Sequence, residues 1–206
     1  MTTVATLPHL PELPVVASEP AERADAARNR RRVLAAADRL FARDGVSCTS
    51  MDAIAAEAGV GKGTLFRRFG DRASLVRAVL GDRERAFQDA FIRGEPPLGP
   101  GAPPAERAVA FGEGMLDLLE QHAELMVAGK FLRPEGTVRS GPQAVYHVHL
   151  ATLVRAAAPD LDAALVADTL LAGLDAELFL HQRRGRELGL EELKRGWAAL
   201  VRRLLA

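Results

Sequence analysis

No segment of this chain sustains an apolar–polar alternation of period two, while apolar residues recur at three- and four-residue spacings along most of its 206 residues. That periodicity sets one face of a helix against a core, so it predicts an all-α fold. Glycine and proline punctuate it. "RADAARNRRRVLAAADRLFARDG" puts Val33, Leu34, Ala37, Leu40 and Phe41 on one stripe, and Asp44-Gly45 ends it. "SCTS" offers Thr49 or Ser50 as the N-cap of a second helix, and Gly59 allows a tight turn into a third over about 61–68. A fourth is capped near Asp71, with Leu75, Val79, Phe87 and Phe91 as its apolar positions.

"GEPPLGPGAPP", residues 94–104, breaks the pattern and is the expected hinge or loop. Beyond it "ERAVAFGEGMLDLLEQHAELMVAGKFL" reads as helical, followed by a polar break, "RPEGTVRSGPQ", and helical stretches over about 143–157, 160–183 and 190–205. About nine helices are expected in all, divided into a proline-containing extended or mobile tail (1–22), a small helical unit (23–72) and a larger helical unit (73–206).

Charge separates the last two. Lys+Arg and Asp+Glu balance at 27 each over the chain, but residues 23–72 carry eleven basic against six acidic side chains, a local +5. A basic module on a compensating partner is the footprint of a nucleic-acid binder. Cys48 is the only cysteine, which excludes an intrachain disulfide and fits a reducing compartment. No apolar run approaches the roughly 20 residues that span a bilayer, and the first 20 residues lack the features of a secretory signal, so a cytoplasmic protein without membrane contact is expected.

"AGVGKGTLFRRF" resembles a phosphate-binding loop at first sight. Aligning Gly61-Lys62 with that motif's G-K pair puts Ala56 where its first glycine belongs and Gly63 where its metal-binding hydroxyl belongs. The preceding residues are also helical in character, whereas such a loop follows a buried strand. The alternative is a helix-turn-helix: two short helices across a glycine turn, locked by Ile54, Val60 and Leu65. In that geometry the N-terminal end of the second helix enters the major groove. Lys62 then neutralises phosphate or donates to guanine, Gly63 lets the backbone approach the duplex, and Thr64 bonds a base or touches a thymine methyl. Arg67 and Arg68 reach guanine edges or phosphates, and Arg72 lies against the backbone. A basic solvated face on a short helix is the competing reading.

The whole stretch "RRRVLAAADRLFARDGVSCTSMDAIAAEAGVGKGTLFRRFGDRASLVRAVL" resembles the N-terminal domain of the TetR/AcrR family of transcriptional regulators. The resemblance implies that Ser50, Lys62, Gly63, Thr64, Phe66, Arg67, Arg68 and Arg72 contact double-stranded operator DNA. Phe66 stands where the family usually has Tyr, Gly61 where Ser is common, and Arg68 where His is common. The resemblance also implies a homodimer whose last two helices form a four-helix bundle, and a regulatory half that binds a small-molecule effector. The chain then reads as a regulator, expected to be a repressor released from a palindromic operator by an inducer. A helical ligand-binding or interaction module without specific DNA binding is the alternative.

For the dimer face, Leu170, Leu174 and Leu178 form one stripe and Leu193, Trp197, Leu200 and Leu204 another, although a monomer core would show the same stripes. For the effector pocket, Phe111, Met115, Leu118, Leu119, Met126, Phe131, Tyr146 and His147 are candidates, each also consistent with ordinary core. His122, His147 and His149 do not suggest a metal site, because His147 and His149 fall on different helix faces and no cysteine joins them. Asp175 and Glu177 also fall on different faces, and no nucleophile has an adjacent base, so neither an enzyme nor a cofactor is expected.

Overall fold

The computed structural model describes residues 19–130 and 141–205. Among these the chain is helical with no strand: α1 (Glu19–Asp44), α2 (Met51–Ala58), α3 (Lys62–Phe69), α4 (Arg72–Arg93), α5 (Pro104–Lys130), α6 (Pro142–Ala157), α7 (Ala163–Ala172), α8 (Ala176–Leu180) and α9 (Leu190–Leu204), with a π-helical turn at His181–Gly185. Residues 1–18 of the expected tail, and the pocket candidate Phe131, lie outside the described residues. The helix begins earlier than its apolar stripe suggested, because Pro20 sits in the first turn, where its missing N–H breaks no helical bond.

Side-chain caps set most boundaries. Ser50 Oγ accepts from Ala53 N at 3.1 Å to open α2, and Gly59 closes it at φ +62°, a left-handed conformation that favours glycine. Asp71 accepts from Ser74 N at 2.7 Å to open α4. The helix expected over 160–183 is instead divided. Asp162 caps α7, the chain turns at Gly173, and Asp175 accepts from Glu177 N and Leu178 N to start α8.

Two hydrophobic cores result. In the first, Val33, Leu34, Leu40 and Phe41 meet Ile54, Leu65, Phe69, Leu75 and Val79; in the second, Phe87, Phe91, Phe111, Leu150, Val154, Phe179 and Val201 meet. The cores divide inside α4, between Leu80 and Phe87, and not at the 94–104 breaker, which is a loop at the edge of the second core. Leu125 of α5 belongs to the first core, so α5 also touches both.

The second core absorbs part of the expected dimer face. Leu170, Leu174 and Trp197 are buried within the protomer, with Leu193 and Leu204 packed against the same cluster, so only Leu178 and Leu200 remain exposed. The correction has a local cause. The Trp197 indole N–H donates to the carbonyls of Ala108 and Val109 at 3.2 and 3.1 Å, and its ring lies over Gly112.

Candidate nucleic-acid interface

α2 and α3 are held by Ile54 and Leu65, both almost fully buried, while Leu65 and Phe69 turn the inner side of α3 toward the first core. The outer side then presents Lys62, Gly63, Phe66, Arg67 and Arg68, all exposed, with Thr64 half-buried at its edge. Arg67 and Arg68 make no hydrogen bond or ion pair among the described residues. Most other arginines on this surface are engaged: Arg39 with Glu57, Arg43 with Asp44, and Arg30 over the Phe69 ring. Two unpaired guanidiniums beside an exposed aromatic ring suit base edges and phosphates.

Lys62 Nζ bonds Asp52 Oδ2 at 2.7 Å, linking α3 to α2. Both side chains are about 60% exposed, and such a pair contributes less than about 1 kcal/mol, so a phosphate can displace the carboxylate. Ser50 serves its cap from an exposed position. A Cβ built on Gly63 meets nothing within 4 Å, so the fold does not require glycine there. Gly63→Ala is therefore expected to leave the melting temperature unchanged or raise it while weakening duplex binding; equal binding in a fluorescence-anisotropy titration would show that the backbone does not approach DNA at this point.

Arg72 is tied to the protein. Its guanidinium donates to the carbonyls of Ser47 and Thr49 at 2.9 and 3.4 Å, clamping the loop that leads into α2. Thr49 is buried beneath, donating to Gly45 O at 2.8 Å. Arg72→Ala is expected to cost about 1 kcal/mol of stability and to weaken selected and random duplexes alike, read by urea denaturation and competition binding. A loss confined to the selected sequence would assign Arg72 to base reading instead.

The pocket candidates are mostly packed. Phe111 and Tyr146 belong to an aromatic cluster with Phe87, Phe91 and His149, ring centroids 4.3–6.0 Å apart. Met115 and Leu119 are buried, and Leu118 and Met126 are half-buried against the same helices. His147 turns away from the cluster, its Nε2 3.2 Å from Ala164 O and 3.4 Å from Asp168 Oδ1 on α7. His149, two residues on, is the histidine that enters the cluster, stacked on Phe91.

Burial and, secondarily, Arg107 push the His149 pKa down to about 4. The folded state thus holds the ring neutral. Its stabilising contribution is present above pH 6.5 and is lost as pH falls from 6.5 toward about 4, where the folded protein also takes the proton. Allowing for the ring's partial exposure, that loss is about 2 kcal/mol. His149→Phe is expected to remove most of this acid sensitivity, seen in melting temperatures measured from pH 7 to pH 4.

A cavity of about 500 Å³ opens elsewhere, between α1, α5 and the segment from α8 into the π-helical turn. Of the described pocket candidates only Leu119 lines it. Asp38, His122 and Arg83 meet beside it, a cluster joined over 45 and 84 residues of sequence that no local pattern announces.

Residues 33–79 match the family of bacterial regulatory proteins described as the tetR family. Over 58 residues the chain is 45% identical to an HTH-type transcriptional regulator of Staphylococcus aureus (strain USA300), a match covering 28% of this chain and 31% of that relative. The chain thus spans about a third of the length of the curated relatives it matches. Over most of the chain the fold is that of a TetR-like transcriptional regulator from Rhodococcus sp. RHA1, with 26% identity, TM-score 0.60, and 85% and 94% of the two chains covered. The fold of the transcriptional regulator FadR from Bacillus subtilis, solved in complex with stearoyl-CoA, is also similar, at 16% identity and TM-score 0.61 over 83% and 96% of the two chains.

Proposed function

We propose that this chain, whose residues 33–79 match the tetR family of bacterial regulatory proteins, is a sequence-specific transcriptional repressor acting as a homodimer on a palindromic operator. The observation that carries this reading is the outer face of α3, where Lys62, Gly63, Phe66, Arg67 and Arg68 stand exposed and both arginines lack a partner among the described residues. One protomer offers a single reading helix, so a palindrome requires two copies related by a two-fold axis. Leu178 and Leu200, exposed on α8 and α9, provide apolar surface for that contact. Release follows if an effector favours a conformation in which the two reading helices no longer match the operator spacing, and it does so only through its differential affinity for the two conformations. Among the described residues no helix is long and apolar enough to cross a membrane.

The test is selection of the full-length protein against a random duplex library at two salt concentrations. Enrichment of a palindrome, with retention that falls as salt rises, is the expected result. Weak retention without any enriched sequence would overturn the reading and leave a helical ligand-binding module.

A further inference from the structure

Lys62 is the first residue of α3, and in a helix-turn-helix the N-terminal residues of the second helix are the ones that reach base edges. Two groups on DNA suit its ammonium: a backbone phosphate, or the O6 and N7 acceptors of a guanine. The protein supplies a third. Asp52, in the first turn of α2, accepts from Lys62 Nζ at 2.7 Å across the glycine turn. The other acids of the head are engaged away from α3: Asp25, Asp38, Asp44 and Glu57 pair with arginines of α1 and α4, and Asp71 caps α4. Arg67 and Arg68 have no such carboxylate among the described residues, so Lys62 is the cation of α3 whose charge the fold offsets.

An ammonium has three N–H donors and one positive charge. Asp52 takes one donor and offsets the charge, which leaves two donors on a pair with no net charge. A phosphate attracts a cation through charge, so the closed pair offers it little. Should a phosphate displace the carboxylate, Asp52 is left facing the anionic backbone. A guanine edge is neutral and takes two donors, the number that remain. Both side chains are about 60% exposed, so the pair acts through charge and supports no core contact.

We propose that Asp52 is a positioning residue for sequence reading, one that turns Lys62 from a phosphate contact into a guanine reader; this rests on the DNA-binding reading above. On the operator the pair stays closed and the two remaining donors meet a guanine in each half-site. On random duplex no guanine is held in register, and Lys62 reaches phosphate only by opening the pair and exposing Asp52 to the backbone. Asp52 thereby raises the ratio of operator affinity to random-duplex affinity.

The test takes the full-length protein and its Asp52→Asn, Asp52→Glu and Lys62→Met variants through selection on the random duplex library, then titrates the selected and a random duplex over a series of salt concentrations. Asp52→Asn is expected to bind random duplex about three- to fivefold more tightly at low salt, with a salt slope steeper by about 0.9, the value of one further phosphate contact. It is also expected to lose preference at one guanine of each half-site, the same position that Lys62→Met loses. Asp52→Glu keeps the charge and should restore the parent slope and preference. All three variants should melt with the parent, because the pair is exposed. A parent-like slope and base preference in Asp52→Asn overturns the inference, as does an equal loss on both duplexes, which would make Asp52 a structural link between α2 and α3. Unaltered base preference in Lys62→Met overturns it as well. If the parent enriches no sequence, the DNA-binding reading itself fails and takes this role of Asp52 with it; a parent that enriches a palindrome leaves the variants to decide the role alone.

Discussion

Gly112→Ala is expected to lower the unfolding free energy by about 3 kcal/mol or more, an unusually large cost for one added methyl group. A Cβ at this position would stand 1.8 Å from Trp197 Cε2 and 2.0 Å from its Nε1. No real contact is that short, so the indole must leave its place, losing its bonds to Ala108 and Val109 and much of its burial against α5. Helix propensity predicts the opposite sign, since alanine in a helix interior gains about 1 kcal/mol over glycine. Urea denaturation of the variant separates the two directly. A variant as stable as the parent would mean that α9 does not approach α5 as described.

The second large effect concerns DNA. Arg67→Ala is expected to reduce affinity for the selected operator by about ten- to a hundredfold, while affinity for random duplex falls far less. The guanidinium has no partner to lose among the described residues, so the melting temperature should stay within about 1 °C of the parent, as expected for a surface change away from packing. Equal losses on both DNAs in competition binding at fixed salt would place Arg67 on phosphate and not on a base edge.

These two residues show what could be read from the chain before its structure. Arg67 was legible because its signal is local: a short helix, a glycine turn and a buried Leu65 fix which side faces outward. The caps at Ser50 and Asp71 were legible for the same reason. Trp197 lies in the protomer core, one of the two places its stripe allows. Its apolar stripe with Leu193, Leu200 and Leu204 states that α9 has a buried face, and no periodicity tells whether that face meets the same chain or a second copy. Gly112 is the complementary half of that contact, 85 residues away in sequence. The break at Gly173 had a signal in the sequence, a glycine followed two residues later by a capping aspartate, but the apolar run around it masked the cue. The Asp38, Arg83 and His122 cluster had none, because its members come from three helices and each is an ordinary surface residue type.

The passage of α4 through both cores bears on how such proteins can be recombined. A graft that exchanges the DNA-reading unit at the 94–104 loop would import Phe87 and Phe91 with it, and so would bring a foreign wall into the aromatic cluster of the regulatory half. A graft ending at Arg72 would leave Leu75, Val76 and Val79 behind and deprive the incoming unit of its own core. The workable seam is the stretch of α4 between Leu80 and Phe87, where a splice within one continuous helix keeps both cores with their native partners except for the contact that Leu125 of α5 makes with the first. Interchangeable parts in this fold are joined along a helix and not across a loop.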